Sequence, residues 1–344
     1  AMKKTLLTSS MGYYRANLHC HSTVSDGKKT PEELKEFYKS HGYSAVAFTD
    51  HEAFITHTVL TDEKFVALNG YELDANDPSG SGKTCHICFV ALDPENDLDV
   101  CYHRTKYFWG NSAGYRGKVH FDESAPDFER VYSHEGVNRM IAKGREGGFF
   151  VTYNHPTWSL ESYPEYSGYK GMNAMEITNY GCQVEGYDDD NGHAYDDILR
   201  GGERIFCVAT DDNHNHIPDD DPRSDSFGGY VMINAPRLGY RELTDALENG
   251  RFYASTGTSK HTGPEIRSLD FEDGKVYITT SAVRNIALIT CSRACRLAEA
   301  SFGETINAAS FDVGAKEKWF RIVVTDKDGY KAYTNAYFLD ELNK

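Results

Sequence analysis

Two stretches decide the fold, Ala16-Asn-Leu-His-Cys-His21 and Ser44-Ala-Val-Ala-Phe-Thr-Asp-His51, because each is a short apolar run that ends in potential metal ligands. Three further runs have the same form: Lys64-Phe-Val-Ala-Leu-Asn-Gly-Tyr-Glu72, Phe149-Phe-Val-Thr-Tyr-Asn-His155 and Ile205-Phe-Cys-Val-Ala-Thr-Asp-Asp-Asn-His214. Such runs predict buried β-strands, and helical stretches separate them. The alternation predicts an α/β fold of βα units from about residue 15 to about residue 257.

Two helices are marked by their end signals. Thr30-Pro31-Glu32-Glu33 combines an N-cap residue, a proline at the first helical position and a capping-box Glu, which predicts a helix that stops at Gly42. A second helix is expected from near His134 to Arg145, before Gly147-Gly148. Between the strands, residues 93–133 fit neither period and predict an inserted loop, which in compact domains is often a lid.

The pattern changes after a turn-rich linker at residues 257–263. Alternating apolar residues predict strands at residues 275–280, 287–291 and 320–325, and Asp328-Gly329 predicts a hairpin that returns through residues 331–334. These short strands predict a small all-β, sandwich-like domain. The expected organisation is therefore a catalytic domain at residues 1–257, with the insertion at about 93–133, and a C-terminal domain at residues 264–344.

Composition limits the classes of partner. The net charge of −16 disfavours a nucleic-acid polymer or an anionic membrane as the main partner, because both require a broad basic surface. The sequence shows no apolar run of signal-peptide or membrane-spanning length. The eight cysteines, in a chain without a secretion signal, are expected to be reduced and mostly buried, which predicts a cytoplasmic location.

The strand ends carry a set of histidines and carboxylates. His19 and His21 lie two residues apart on one predicted strand, so both imidazoles project from the same face and can bind one metal. The remaining candidates follow along the chain: Asp26, His51, Glu72, His86, His155, Asp212 and His214. Imidazole and carboxylate ligands suit zinc, manganese or iron.

These motifs resemble the polymerase and histidinol phosphatase (PHP) superfamily over about 240 residues. The opening motif reads His19-Cys-His-Ser-Thr-Val-Ser-Asp-Gly27, and the second reads Phe48-Thr-Asp-His51. Later motifs read Gly70-Tyr-Glu72, Tyr153-Asn-His-Pro156 and Asp212-Asn-His214; Asp211 is adjacent, but the Asp-x-His spacing favours Asp212. The C-terminal part also resembles longer members of the superfamily that include carbaryl-hydrolase-type enzymes.

The resemblance implies a distorted (β/α)7 barrel of the PHP type, with its site where the strand ends converge, and two or three divalent metals. It implies one metal held by His19, His21, Glu72 and Asp212. A second would share Glu72 with His86 and His155, and a third would be held by Asp26, His51 and His214.

A site of this kind predicts metal-dependent hydrolysis. Open metal positions would hold a water that attacks the substrate, and no side chain is assigned as a catalytic residue. The first expectation is a phosphoric ester hydrolase acting on a small anionic metabolite or nucleotide, with Arg116 and Lys118 of the insertion contacting the substrate. Two alternatives stay open: an amide, carbamate or ester hydrolase with the same metals, and a non-catalytic binding protein whose barrel is a relic.

Overall fold

The computed structural model describes residues 2–344 as a mixed α/β protein with one large sheet and a smaller one. In chain order the strands are β1 (Lys4–Leu7), β2 (Gly12–Cys20), β3 (Ala45–Phe48), β4 (Val66–Asn76), β5 (Thr84–Ala91), β6 (Leu98–Asp99), β7 (His120–Phe121), β8 (Phe149–Tyr153), β9 (Ala174–Asn179), β10 (Phe206–Thr210), β11 (Gly229–Ala235), β12 (Phe252–Thr256), β13 (Ile266–Glu272), β14 (Lys275–Val283), β15 (Asn285–Thr290), β16 (Arg296–Glu299), β17 (Ile306–Asp312), β18 (Trp319–Thr325), β19 (Lys331–Thr334) and β20 (Tyr337–Phe338).

The helices cover the faces and ends of these strands. They are α1 (Pro31–Lys39), α2 (Gly110–Ala113), α3 (His134–Glu146), α4 (Tyr163–Tyr166), α5 (Tyr180–Val184), α6 (Gly192–Arg200), α7 (Tyr240–Glu248) and α8 (Leu339–Leu342), with 3-10 turns at Thr58–Leu60 and Arg116–Lys118. The hydroxyl of Thr30 accepts a hydrogen bond from the backbone N–H of Glu33, so the predicted cap of α1 is confirmed. The α3 prediction is also confirmed, with Ser133 as its N-cap. None of the helices described is long and apolar enough to cross a membrane.

Seven strands of the large sheet surround the candidate site, in the order β10-β9-β8-β5-β4-β3-β2. The pairs β2/β3, β3/β4, β8/β9 and β9/β10 are parallel, whereas β5 runs antiparallel to both β4 and β8. Helix α1 connects β2 to β3, α4 connects β8 to β9, and α5 and α6 connect β9 to β10, as βα units require. Between β3 and β4 the described chain has only the 3-10 turn at Thr58–Leu60. The α/β class predicted from the alternating runs is confirmed.

The two ends of this seven-strand path approach each other just beyond the strands. Cys20 forms an isolated bridge with Asn213, and the backbone N–H of His21 donates to the carbonyl of Asn213 at 3.0 Å. The N–H of Asp212 donates to the carbonyl of His19 at 2.9 Å. Within residues 2–344 no regular ladder joins β10 to β2, so the pairing does not establish the predicted closed barrel. It does bring the polar ends of β2 and β10 together.

The C-terminal strands form two layers around one core. The small sheet β1-β13-β14-β17 packs against β12, β15, β18 and β19 of the large sheet through a shared apolar cluster that includes Leu7, Leu269, Ile278, Leu288 and Ile322. Buried and more exposed residues alternate along β14 and β15, the pattern of strands with one buried face. The hairpin between β18 and β19 turns through Gly329 with φ +91°, a conformation that favours glycine.

The large sheet crosses the boundary predicted between the two domains. Strand β11 pairs with β2 and β12, and β12 pairs with β19, so the site strands and the C-terminal strands belong to one hydrogen-bonded sheet. The N-terminal strand β1 pairs with β13 on the other side of the linker. The division at residues 257–264 stays a prediction, because these pairings join the two segments.

Candidate metal centre

The nine candidate ligands lie around one pocket at the ends of the seven-strand path. His19 is the last residue but one of β2 and His21 follows this strand, His51 follows β3, and His155 follows β8. Glu72 and His86 face the same space from the antiparallel pair β4 and β5. Parallel strands bring their carboxyl ends to one edge of a sheet, so ligands far apart in sequence meet there. All nine side chains fall into three adjoining groups.

The first group is His19, His21, Glu72 and Asp212. The Nε2 atoms of the two histidines are 3.2 Å apart, and Glu72 Oε2 lies 3.1 Å from each of them. Asp212 Oδ1 lies 3.1 Å from His19 Nε2 and 3.0 Å from His21 Nε2. Tetrahedral zinc with bonds of about 2.0–2.1 Å places its ligand atoms about 3.3 Å apart. The group therefore has nearly the dimensions of a four-ligand metal site.

The second group shares Glu72 with the first. Its other oxygen, Oε1, lies 3.0 Å from His86 Nδ1 and 3.4 Å from His155 Nε2. Asn154 donates a hydrogen bond to the same oxygen at 3.1 Å, which fixes the plane of the carboxylate. Each oxygen of Glu72 thus faces a different group, the arrangement of a bridging carboxylate.

The third group is looser and nearer to solvent. Asp26 Oδ2 lies 3.6 Å from His51 Nε2, and Asp26 Oδ1 lies 3.4 Å from His214 Nε2. His21 joins this group through Nδ1, which is 3.6 Å from Asp26 Oδ1. The side chains of Asp26 and His214 are 32% and 25% exposed, whereas those of His19, His21 and Glu72 are at most 1% exposed. A metal in this group would be the one most open to exchange.

The donor atoms fit divalent metals better than hydrogen bonds alone. Among residues 2–344, the buried atoms without a hydrogen-bond partner include Asp212 Oδ1 and His51 Nδ1. The facing Nε2 atoms of His19 and His21 can share one hydrogen bond at most, because one imidazole must donate and the other accept. A cation between them would accept lone pairs from both imidazoles and from Asp212.

The metal-free centre is strongly polarised. Burial would raise the pKa of Asp212, but His19 and His21 hold it well below its usual range. In the same way, His19, His51 and His155 outweigh burial and hold the pKa of Glu72 well below its usual range. Burial alone would lower the pKa of His155, but the hydrogen bond to Glu72 and the nearby carboxylates raise it to about 9. Without metal, protons on imidazoles balance the carboxylates, and metal binding must displace them.

Residues 17–136 match the family model described as the PHP domain. The chain contains a PHP domain. The matched segment of this domain carries His19, His21, Asp26, His51, Glu72 and His86, while His155, Asp212 and His214 lie beyond it. No curated protein sequence matches the chain. The resemblance to carbaryl-hydrolase-type enzymes stays a prediction.

Three solved structures are similar to the chain. A two-domain protein from Bacteroides vulgatus containing a predicted PHP-like metal-dependent phosphoesterase is 14% identical over 98% of each chain, with a TM-score of 0.46. A protein from Bifidobacterium adolescentis described as a metal-dependent phosphoesterase is 18% identical over 58% of this chain and 87% of its own, with a TM-score of 0.36. An amidohydrolase from Chromobacterium violaceum, with bound sulfate and no metal, is 14% identical over 61% of this chain and 93% of its own, with a TM-score of 0.40.

Glu176 is a site residue that the sequence analysis missed. Its carboxylate, buried in β9, accepts from His19 Nδ1 at 2.9 Å, from the backbone N–H of His155 at 2.8 Å and from the Thr210 hydroxyl. A carboxylate at Nδ1 fixes the tautomer of the imidazole and leaves Nε2 free to bind a metal. The sequence did offer one signal, a glutamate inside the run Ala174–Asn179 of a buried strand. A buried carboxylate needs hydrogen-bond partners, so such a residue is a candidate for a polar site.

The neighbouring aspartates Asp211 and Asp212 have different surroundings. Asp212 faces the first group, whereas Asp211 turns away, accepts from the Tyr38 hydroxyl at 2.7 Å and binds the backbone N–H groups of Phe227, Gly228 and Gly229. Asp211 therefore anchors the loop before β11.

The loops that present two ligands have uncommon backbone conformations. Asp212 has φ +49° and His155 has φ +27°, in a region that non-glycine residues rarely occupy. Nearby, a Cβ on Gly27 would lie 2.3 Å from the carbonyl oxygen of His21, so glycine is required there. Backbone strain of this kind clusters at functional sites, and here it orients two of the candidate ligands.

The centre opens into a pocket of about 910 Å³. Its wall includes Trp109 from the insertion and Trp158 from the turn after β8, both missed because neither stands in a recognisable motif. The predicted substrate contacts, Arg116 and Lys118, do not line this pocket. The guanidinium of Arg116 instead donates to the carbonyls of His103 and Lys106 and packs on Phe108. Its position does not support a substrate contact.

Proposed function

We propose that the protein is a metal-dependent hydrolase, and that it acts as a phosphoesterase on a small substrate with one phosphate group. The observation that carries the proposal is the sharing of Glu72 between two groups of ligands, with Oε2 directed to one group and Oε1 to the other. The PHP domain match supports metal-dependent hydrolysis in the same residues.

Two or three divalent metals would be held by the three groups. His19, His21, Glu72 and Asp212 would hold one, and Glu72 would bridge it to a second held with His86 and His155. The third group, Asp26, His51 and His214, would hold the most exposed ion. Imidazole and carboxylate donors favour zinc, manganese or iron.

The chain's own residues prepare the centre. Metals bound there would supply Lewis acidity and activate water for attack on the ester. Glu176 and the Ser159 hydroxyl, 3.1 Å from His155 Nδ1, hold two imidazoles so that their Nε2 atoms face Glu72.

We also propose that the seven-strand path is a distorted barrel, and that residues 1–257 contain the catalytic unit while residues 264–344 form an accessory β-sandwich. The approach of β10 to β2 through the Cys20–Asn213 bridge supports the barrel. The shared core of the two C-terminal layers supports the sandwich.

Metal removal and reconstitution test the proposal. The protein is stripped with a chelator, reloaded separately with zinc, manganese or iron(II), and assayed with an aryl phosphate and an aryl carbamate. We expect phosphate hydrolysis that is lost on stripping and restored on reloading. Turnover of the carbamate alone would refute the phosphoesterase.

An amide, carbamate or ester hydrolase is the second candidate. Acidic side chains in the pocket wall favour it, because they disfavour an anionic substrate. Besides the ligands, the pocket is lined by Asp74, Glu185 and Asp225. Arg223 is the arginine in the wall, and it is paired with Asp221 at 2.9 Å. The positive charge of two or three bound metals would be largely offset, so a neutral ester or carbamate is also acceptable electrostatically. A protein that binds no metal and gains no activity on loading would instead be a relic.

A further inference from the structure

Three large aromatic side chains of the described chain are exposed in the wall of the metal pocket. Trp109 is 47% exposed, Trp158 is 37% exposed and Tyr187 is 38% exposed. Scattered single aromatics on a surface need no explanation, but a cluster in one concave site marks a binding surface. Val184 and Ile217 extend the same wall.

The two indoles lie beside different groups of ligands. The Trp158 ring is 5.3 Å from the His86 ring and 5.0 Å from the His155 ring, close to perpendicular to each. The Trp109 ring is 5.1 Å from the His51 ring. Trp158 thus adjoins the second group and Trp109 the third. A group attached directly to a bound phosphate would lie within reach of an indole face.

Charge in the wall restricts what that group can be. Asp74, Glu185 and Asp225 repel a second anionic substituent, and Arg223 is already paired with Asp221. The volume of about 910 Å³ is far larger than a phosphate alone requires. A neutral planar ring fits both conditions, because it stacks on indole without adding charge.

We propose that Trp109 and Trp158 form an aromatic subsite that selects phosphate monoesters whose alcohol carries a neutral planar ring. This inference rests on the proposed phosphoesterase function and names its substrate class. The ring could be a simple aryl group or a nucleobase, since both present a flat π face to the indoles.

Matched esters test the selection while the leaving group stays a primary alcohol. Benzyl phosphate and cyclohexylmethyl phosphate both release a primary alcohol and differ in the planarity of the ring. We expect kcat/KM to favour the benzyl ester by about tenfold, with roughly threefold contributed by each indole. Adenosine 5′-phosphate and ribose 5-phosphate form the second pair. Preference within this pair identifies a nucleobase, and preference within the first pair alone identifies an aryl group.

Two variants and a control locate the subsite. Trp109→Leu and Trp158→Leu should each lower the ratio of kcat/KM for the ring-bearing ester to kcat/KM for the matched ester. Leu160→Ala removes another exposed apolar side chain, 53% exposed and outside the pocket wall, and should leave the preference unchanged. Equal kcat/KM for the two members of both pairs in the unaltered protein would overturn the inference.

Binding of non-hydrolysable phosphonates separates this inference from the proposed function. Calorimetry with metal-loaded protein compares benzylphosphonate and cyclohexylmethylphosphonate. Tighter binding of the benzyl compound with no ester hydrolysis retains the subsite and refutes only the phosphoesterase. Equal binding of both compounds, with hydrolysis intact, refutes only the subsite, and equal binding without hydrolysis refutes both.

Discussion

Arg130, near the end of the insertion, forms a buried two-point ion pair with Glu52, the residue that follows His51. The guanidinium donates at 2.8 Å and 2.6 Å to the two oxygens of Glu52, and the side chains are 3% and 1% exposed. The same guanidinium also donates to the carbonyl of Asp74, two residues after Glu72. The insertion is therefore attached to the backbone that presents two candidate ligands.

Replacing Arg130 with methionine should destabilise the protein by about 3–5 kcal/mol, because it leaves the Glu52 carboxylate buried without its partner. Chemical denaturation of the metal-free protein measures the change. Adding Glu52→Gln to Arg130→Met should recover part of the loss. A double variant that is less stable than Arg130→Met would contradict this account of the pair.

Glu176→Gln should weaken metal binding about tenfold to a hundredfold while leaving the fold intact, because the amide no longer holds His19 as a carboxylate does. Competition with a coloured chelator measures the affinity, and circular dichroism checks the fold. Glu185→Gln is the matched control, since Glu185 lines the pocket but is not a candidate ligand. Equal affinities for the two variants would remove Glu176 from the centre.

Glu72→Gln should reduce the number of bound metals by more than one per chain, because each oxygen of this carboxylate faces a different group of candidate ligands. Asp26→Asn should affect the third group alone and cost one metal at most. Mass spectrometry of the metals in dialysed protein counts the bound ions. If Glu72→Gln and Asp26→Asn lost the same number of ions, Glu72 would not be a bridge.

Metal affinity should rise with pH up to about pH 9. The pKa of His155 in the metal-free protein is raised to about 9, mainly because Glu72 and Asp212 outweigh the effect of burial. His155 is therefore protonated at pH 7, and a metal that binds it must release that proton. Calorimetry at pH 7 in buffers of different ionisation enthalpy measures the release. An enthalpy that does not depend on the buffer would contradict the prediction.

Four of the candidate ligands could be identified in the sequence because each follows a local signal. His19, His51, His155 and His214 stand at the ends of apolar runs, and a strand carries its last residues to the edge of its sheet whatever the rest of the chain does. The choice of Asp212 over Asp211 also followed from spacing to His214. Local pattern was sufficient where the chemistry sits on the strand ends themselves.

The supporting residues could not be predicted in the same way. Glu176 contacts His19 and Thr210 across strands, so its role depends on the arrangement of the sheet. Trp109 reaches the pocket only because the insertion folds over it, whereas Arg116, from the same insertion, binds its own loop. The approach of the two ends of the seven-strand path likewise depends on distant residues, such as Cys20 and Asn213.

Because β1 pairs with β13, the first strand cannot join its sheet until a much later part of the chain has been synthesised. Leu7 is fully buried against the C-terminal core and lies opposite Leu269 in the pairing. On a ribosome adding about 5–20 residues per second, the partner strand follows roughly 10–50 s later. Until then, β1 has been synthesised but has no partner strand, and its leucines, Leu6 and Leu7, remain exposed and accessible to chaperones. The small sheet is completed only after residues 306–312, which form its last strand, have left the ribosome.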